Sequence, residues 1–526
     1  MTEHQPIGYA VRTGMRTLAF GAAALLAGFS LSPEAKAVTQ EKTIRVGVAS
    51  LPPGRGNVYT LFGSPSMFTW YAMFDPVTLV DGGGNPIPSL ASSWKNTSPS
   101  TWEFKLRSDV RFSNGEAFNA NALVATLNWL ISPEGLAKGA VVAGRTKFIK
   151  SARAVDDTTV VIETVTPNPI VPNEISIVLV TPPKAWADLG VDAFANAPVG
   201  TGPYKLEGAW QENAAKMTAF EGSFRAPKVR RLEVNNLPER AARFQAFTSG
   251  QLDVIIGISP DNIKEVQAAN GKVIALPGPT VLTWALTQMN AKAGVDIKPL
   301  ADPRVRQAMN MAISRDDMVK EVLQGYGQGM GQGVASPTFG HNPNVKAYPY
   351  DPAKARALLA EAGYPNGFDL LAEVREGYMA GDLEWHQRAG ADLQKIGIRT
   401  KVQLIQLPEW LKKFVDVTWD GAAWISGWNS APAMDAMGAI QFHTCDKGGK
   451  VYRCVEKEQK LVTQINSEFD VAKRKQLIHD LIQIQRDDAI ALFLYEAQDL
   501  DAISNKLRDF KNVNRYLNYH EMSLAD

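Results

Sequence analysis

The side chains that could do chemistry in this 526-residue chain are few and scattered. Its six histidines, His4, His341, His386, His443, His479 and His520, form no HExxH or other close pair, so zinc hydrolysis has no visible ligands. No G-x-S-x-G elbow is present to expose a serine nucleophile. The glycines of "GYGQGMGQG", residues 325–333, are not followed by Lys-Ser/Thr, and a P-loop fails the same test. "PVGTGPY", residues 198–204, lacks dinucleotide-binding spacing and is interrupted by Pro198 and Pro203. The acidic neighbours Asp156 with Asp157, and Asp316 with Asp317, are adjacent in sequence. Adjacent residues rarely converge on one substrate atom, and caps or solvated faces account for them. These residues predict no catalysis, no cofactor and no metal.

A different kind of chemistry is suggested by "TWDGAAWISGWNSAPAMD", residues 418–435, with Trp419, Trp424 and Trp428 within ten residues of one another. Such a segment is either core or a platform for a ligand. Trp419 and Trp424 precede and occupy the alternating strand "DGAAWISG", where burial is expected. Trp428 follows Gly427 at the strand's end, where the chain turns polar.

Positioning these groups requires lobes, because 526 residues exceed what one hydrophobic core usually supports. Arg12 and Arg16 precede an apolar run from Leu18 to Leu31, and Ala35-Lys36-Ala37 suits cleavage after Ala37. Residues 1–37 read as a secretory signal peptide, since the run falls short of the roughly 20 residues that cross a bilayer. Without Arg12, Arg16, Lys36, Glu3 and Glu34, totals of 55 basic and 54 acidic residues become a formally neutral chain. A neutral chain without like-charge runs disfavours nucleic-acid binding. Cys445 and Cys454, the only cysteines, then read as a local disulfide in an oxidising compartment. Two thiolates with His443 upstream do not complete a metal tetrahedron.

Along the chain, "KTIRVGVAS" reads as a strand running into the loop "LPPGRGN". "TWEFKLRSDVRFSNG" reads as two short strands, then Asn119 caps a helix with Leu123, Leu127 and Leu130 on one face. Asp302-Pro303 and Asp351-Pro352 open further helices, the second of which buries Leu358 and Leu359 and ends at Gly363. An amphipathic helix near 471–487 turns Leu477, Ile478, Leu481 and Ile482 inward and leads to "AIALFLYEA", an apolar strand of a sheet covered on both faces. The alternation of strands and helices gives α/β lobes with mixed sheets.

Six stretches in order, "WEFKLRSDVRFSNGEAFNANAL", "PNPIVPNEI", "PVGTGPYKLEGAW", "RFQAFTSGQLDV", "ADPRVRQAMNMAISRDDMV" and "YDPAKARALLAEAGYPNGF", resemble the family 5 extracellular solute-binding proteins of ABC importers. The resemblance implies a periplasmic binding protein type II-like fold of three domains. Its two lobes are joined by a hinge. Lobe I would comprise 38–90, 200–287 and 503–526, with an extra domain at 91–199 and lobe II at 288–502. It also places a short disulfide loop at Cys445 to Cys454 and puts "PVGTGPY" at the crossover back into lobe I.

For the ligand, the resemblance points to Arg375 in "LLAEVREGYM" as the fork for a carboxylate. Gly427 and Trp428 match a Gly-Trp pair at the cleft, with Asn429 and Ser430 beside it. Relatives then carry an aspartate for a peptide's amino terminus, and Ala431 stands there instead. Either Asp435, four residues on, serves in its place, or the ligand has no ammonium there. Phe68, Trp70, Tyr71 and Trp284 are candidates for stacking on the ligand, and Arg55 and Asn57 lie in the first loop. The implied function is a monomeric periplasmic receptor that closes on a small solute and hands it to a membrane permease driven by an ATPase. A di- or oligopeptide is the first expectation. An opine, sugar conjugate, organic acid or metal chelate is the alternative, with a peptide chaperone or a secreted hydrolase more remote.

Overall fold

The computed structural model describes residues 40–375, 377–379, 381–445 and 452–525. The signal peptide expected at 1–37 and the tip of the Cys445 to Cys454 loop lie outside the described residues. The chain folds as α/β lobes sharing one mixed sheet, with a separate small antiparallel sheet beside the first lobe.

The first lobe is organised by Gln40–Val48, which pairs in parallel with Val229–Asn236 and Val254–Ile256. Ile44, Val46 and Val48 are fully buried, as expected for a strand covered on both sides. Two long strands carry the sheet into the second lobe. Gly271–Leu286 and Ala491–Ser504 pair antiparallel from Gly271 opposite Ser504 to Ala285 opposite Ala491, with an irregularity between Pro277 and Val281. Beyond them the sheet continues through Ala423–Asn429, Asp369–Val374 and Arg399–Leu404.

The packing divides along those two strands. Leu282, Trp284 and Leu286 join Met309, Leu359 and Trp385 in one core of the second lobe, and Val281 joins Trp428, Ile478 and Leu481 in another. At the other end, Leu500 and Ala502 pack with Phe247 and Val266. The extra domain is a four-stranded antiparallel sheet in the order Ala91–Ser98, Thr101–Leu106, Thr159–Thr164, Ile149–Asp156. Its Phe104 and Ile162 and the helix residues Leu123 and Leu127 share one apolar core with Ile44 and Val234 of the first lobe.

Capping chemistry sets the helix starts. Asn119 accepts from the Ala122 N–H, Asp302 from Arg304, Asp351 from Lys354 and Asp470 from Lys473. Each satisfies a donor that has no partner within its own helix. Leu359 is buried as expected, whereas Leu358 is only partly covered.

One strand reading needs correction. Thr101–Leu106 is a strand, but the following segment makes only a bridge between Arg111 and Ala117 around Gly115. Its hydrogen bonds go elsewhere, with the Ser113 N–H donating 2.9 Å to the Gly200 carbonyl of the crossover. At that crossover, a Cβ on Gly200 would lie 2.1 Å from the Met73 oxygen and one on Gly202 2.5 Å from the Met73 carbon. The glycines there are contact points between segments, which no side chain could occupy.

Candidate functional site

A cavity of about 500 Å³ opens between the lobes. Arg145, the loop Thr166–Ile170 and Glu174 line one wall, and Tyr378, Trp410, Phe414, Gly427 and Phe442 line the other. A second chamber of about 340 Å³, lined by Tyr71, Leu79, Pro277 and Tyr516, shares Arg145, Ile177, Asn429, Ala431 and Pro432 with the first.

The second-lobe wall is an aromatic ladder. Trp410 and Phe414 sit four apart on the helix Leu407–Asp416, which puts both rings on one face, stacked 4.8 Å apart at 13°. Phe442 stacks on Phe414 at 5.1 Å and is 40% exposed. At the other end, the Arg375 guanidinium lies 4.4 Å from the Tyr378 ring centre and 5.3 Å from that of Trp410. The Asp382 carboxylate holds this turn, accepting from the backbone N–H of Gly377, Tyr378 and Met379 at 3.2, 2.6 and 3.0 Å. Gly427 makes room for it, since a Cβ there would lie 1.9 Å from the Tyr378 hydroxyl. The helix is fastened from behind by Lys413, whose ammonium meets Glu373, Asp420 and Glu409.

Arg375 makes no ion pair among the described residues, and its buried Nε has no hydrogen-bond partner there. Burial lowers its pKa from the ordinary guanidinium value, against the opposing pull of Tyr378 and Asp382. A planar cation clamped between two rings keeps its in-plane donors free for a bidentate acceptor. Arg375 stands behind Tyr378 and Trp410 rather than among the residues lining the cavity.

The opposite wall is polar. Arg145 is exposed, with its guanidinium 5.2 Å from the Phe62 ring centre. Glu174 ends a short helical turn, Val171–Glu174, and its Oε2 accepts 2.6 Å from Asn168 Nδ2. Burial pushes the Glu174 pKa up to about 7; Asn168 lowers it, Asp435 raises it, and Arg145 and Arg474 lower it. Next to it, Asn173 Nδ2 donates to the Gly84 carbonyl at 2.8 Å and, across to the second lobe, to that of Ala433 at 2.9 Å.

The structure relocates several expected ligand contacts. Trp428 is fully buried, stacked on His443 at 3.9 Å, and Gly333 is packed so closely that a Cβ there would lie 1.8 Å from the indole. It belongs to the core, because strand alternation turns Gly427 and Asn429 to the cavity and Trp428 away. Asp435 is buried too. Both its oxygens take the Arg474 guanidinium, at 2.6 and 2.9 Å, and one also caps the Met437 N–H, so its charge is already neutralised by a buried cation.

Phe68 and Trp70 are core, with Trp70 Nε1 donating to the Arg55 carbonyl at 2.6 Å. Trp284 is likewise core and donates to His386 Nδ1 at 2.9 Å. Arg55 turns its side chain to Asn196, and Asn57 donates 3.2 Å to the Lys138 carbonyl; neither lines a chamber. Tyr71 lines the second chamber and Asn429 both. Ser430 lines the first, but its hydroxyl is engaged with Thr338 at 2.6 Å and the Pro279 carbonyl at 3.2 Å.

Cys445 and Cys454 are bonded, and between this pair and the cavity His443 Nδ1 and the Tyr452 hydroxyl lie 2.6 Å apart. Among the described residues no three His, Cys, Asp or Glu side chains group to hold a metal ion.

Residues 85–450 match the bacterial extracellular solute-binding proteins, family 5 middle region. The chain belongs to that family. This family 5 protein is 32% identical over 330 residues to the glutathione-binding protein GsiB of Pectobacterium atrosepticum, an alignment covering 60% of this chain and 58% of that protein. Over a longer span it is 24% identical to the Escherichia coli dipeptide-binding protein, covering 89% of this chain and 94% of that one. The structure of HbpA2 from Haemophilus parasuis superposes on 92% of this chain and 100% of its own with a TM-score of 0.81 at 20% identity. The fold is therefore that of the type II periplasmic binding proteins.

Sequence reasoning did not single out Arg145, Glu174, Tyr378, Trp410, Phe414 or Phe442 for this family 5 site. The pair Trp410 and Phe414 carried a signal, four apart in "PEWLKKFVD". Glu174 lay in plain view within "PNPIVPNEI".

Proposed function

We propose that this protein is a periplasmic receptor of an ABC importer. It captures a small carboxylate-bearing solute, in the first instance a di- or oligopeptide, and hands it to a membrane permease driven by an ATPase. The observation that carries this reading is Arg375, a half-buried guanidinium with no carboxylate of its own among the described residues, set against Tyr378 and Trp410, two rings that line an inter-lobe cavity. The names of the relatives, a glutathione-binding and a dipeptide-binding protein, agree with a peptide-like solute. Among the described residues no helix is long and apolar enough to cross a membrane. Export by a leader at 1–37 and action as a monomer are part of this proposal.

Lobes I and II, expected to exchange chain at 287 and 502, flex in this reading a few residues earlier, where the ladder is irregular at 277–281. A ligand gripped by both walls favours the closed arrangement only by its differential affinity for it. No step here requires turnover. The test is native mass spectrometry of the purified protein, then denaturing release and identification of any co-purified molecule. In a thermal-shift assay, ligand at 100 times its dissociation constant adds about 2.7 kcal/mol of stability. Arg375→Ala is expected to abolish that shift while leaving the unliganded melting temperature in place. A shift that survives the substitution overturns the carboxylate role.

A further inference from the structure

Among the described residues, the second wall offers no carboxylate to a ligand's positive charge. Ala431 occupies the position where a carboxylate was expected, and Asp435 is spent on Arg474. Among the described residues lining the larger chamber, Glu174 is the one carboxylate, and it comes from the opposite wall. Its Oε2 is held by Asn168, while its Oε1 accepts no hydrogen bond and meets no cation among the described residues. Its backbone N–H donates to the Ile170 carbonyl at 3.0 Å, and neighbouring Asn173 is tied to both Gly84 and Ala433.

We propose that Glu174 is a specificity-determining residue that receives an ammonium group of the ligand through Oε1. The solute class is then a zwitterion, with its cationic nitrogen on the extra-domain side and its carboxylate on the Arg375 side. This inference rests on the receptor reading above. It moves the amino-terminal anchor from the second lobe to the first.

The groups facing Glu174 are Asn168 on the preceding loop, Arg145 from the first lobe, and Asp435 and Arg474 from the second. The last two neutralise each other, and Arg145 forms no salt bridge with Glu174. A partly buried carboxyl with one open oxygen is costly to ionise alone, and a ligand ammonium at that oxygen offsets the cost. Binding therefore releases a proton at pH values below about 7.

The experiment uses the mature protein, Glu174→Gln, and three dipeptides, alanyl-phenylalanine, glycyl-leucine and leucyl-serine. Each is supplied free, N-acetylated and C-amidated, and binding is read by calorimetry and thermal shift. At least one free dipeptide is expected to bind, with N-acetylation weakening it about tenfold or more, as for loss of one charged hydrogen bond. Glu174→Gln should weaken the free dipeptide to the level of its acetylated form, leave the acetylated form unchanged and keep the unliganded melting temperature within about 3 °C of wild type. Wild-type affinity should rise several-fold from about pH 5.5 to about pH 7, before the ligand's own amine, of pKa about 8, loses charge. The variant should show no such rise.

Equal binding of free and acetylated forms, persistent discrimination by Glu174→Gln, or failure of every free dipeptide to bind overturns the proposal. If C-amidated forms bind as tightly as free acids while acetylated forms do not, the carboxylate reading fails and Glu174 stands. The reverse pattern removes Glu174 alone.

Discussion

The two walls of the cleft solve opposite problems. Apart from Arg375, the second-lobe wall pairs its buried charges internally. Arg474 is paired with Asp435, Lys413 with Glu373, and Arg453 with Glu458, and what it turns to the cavity is mostly aromatic face. The first-lobe wall is a loop and one helical turn, and it leaves Arg145 and one oxygen of Glu174 open. Stacked rings tolerate many apolar shapes, whereas a buried charge accepts few partners. In the proposed reading, the aromatic wall contributes apolar contact and the first-lobe carboxyl selects for charge.

The comparison can be broken most forcefully at the internal pairing. Asp435→Ala leaves the Arg474 guanidinium buried without its partner, and a loss of about 3–5 kcal/mol is expected in chemical denaturation. A near-neutral result would mean that Asp435 is available to a ligand after all. Gly427→Ala is milder. The new methyl pushes the Tyr378 hydroxyl aside and disturbs the Arg375 sandwich, so affinity for a released native ligand should fall about tenfold, or ~1.4 kcal/mol, by calorimetry. Phe442→Ala, at the exposed end of the ladder, should cost about 0.5–1.5 kcal/mol of binding to an apolar ligand group and leave the melting temperature nearly fixed.

The smallest effect is on pH dependence. Glu174 has a folded pKa raised above that of the unfolded chain, so its contribution to stability is full below about pH 4.5 and is lost as pH rises through about 7. The melting temperature of wild type relative to Glu174→Gln should fall by about 1–3 °C across that window. A difference independent of pH would show that the carboxyl is already ionised and paired.

Much of the frame was legible. Asn119, Asp302 and Asp351 each cap the helix they were expected to cap, because a cap depends on a few adjacent residues. The cleft was harder to read, since its walls meet across hundreds of residues. Trp428 illustrates the difficulty. Its place beside Gly427 suggested the cleft, but neighbours in a strand face opposite ways, and the glycine took that side. Asp435 was chosen as the nearest acid in sequence, and its true partner, Arg474, lies 39 residues further along. The glycines of 325–333, which failed as a phosphate loop, mostly serve close packing: Gly331 lies against the Lys346 carbonyl and Gly333 against Trp428.

The bond between Cys445 and Cys454 gives one corner of the cleft wall a covalent tether. His443 and Tyr452 each stand two residues before one of the cysteines, and His443 both lines the cavity and stacks on Trp428. Without the bond, that corner of the wall is held by noncovalent contacts alone; with it, a cross-link fixes Cys445 beside Cys454. A reduced chain would lose that covalent tether and keep the stacking and hydrogen bond of His443 at this corner of the wall.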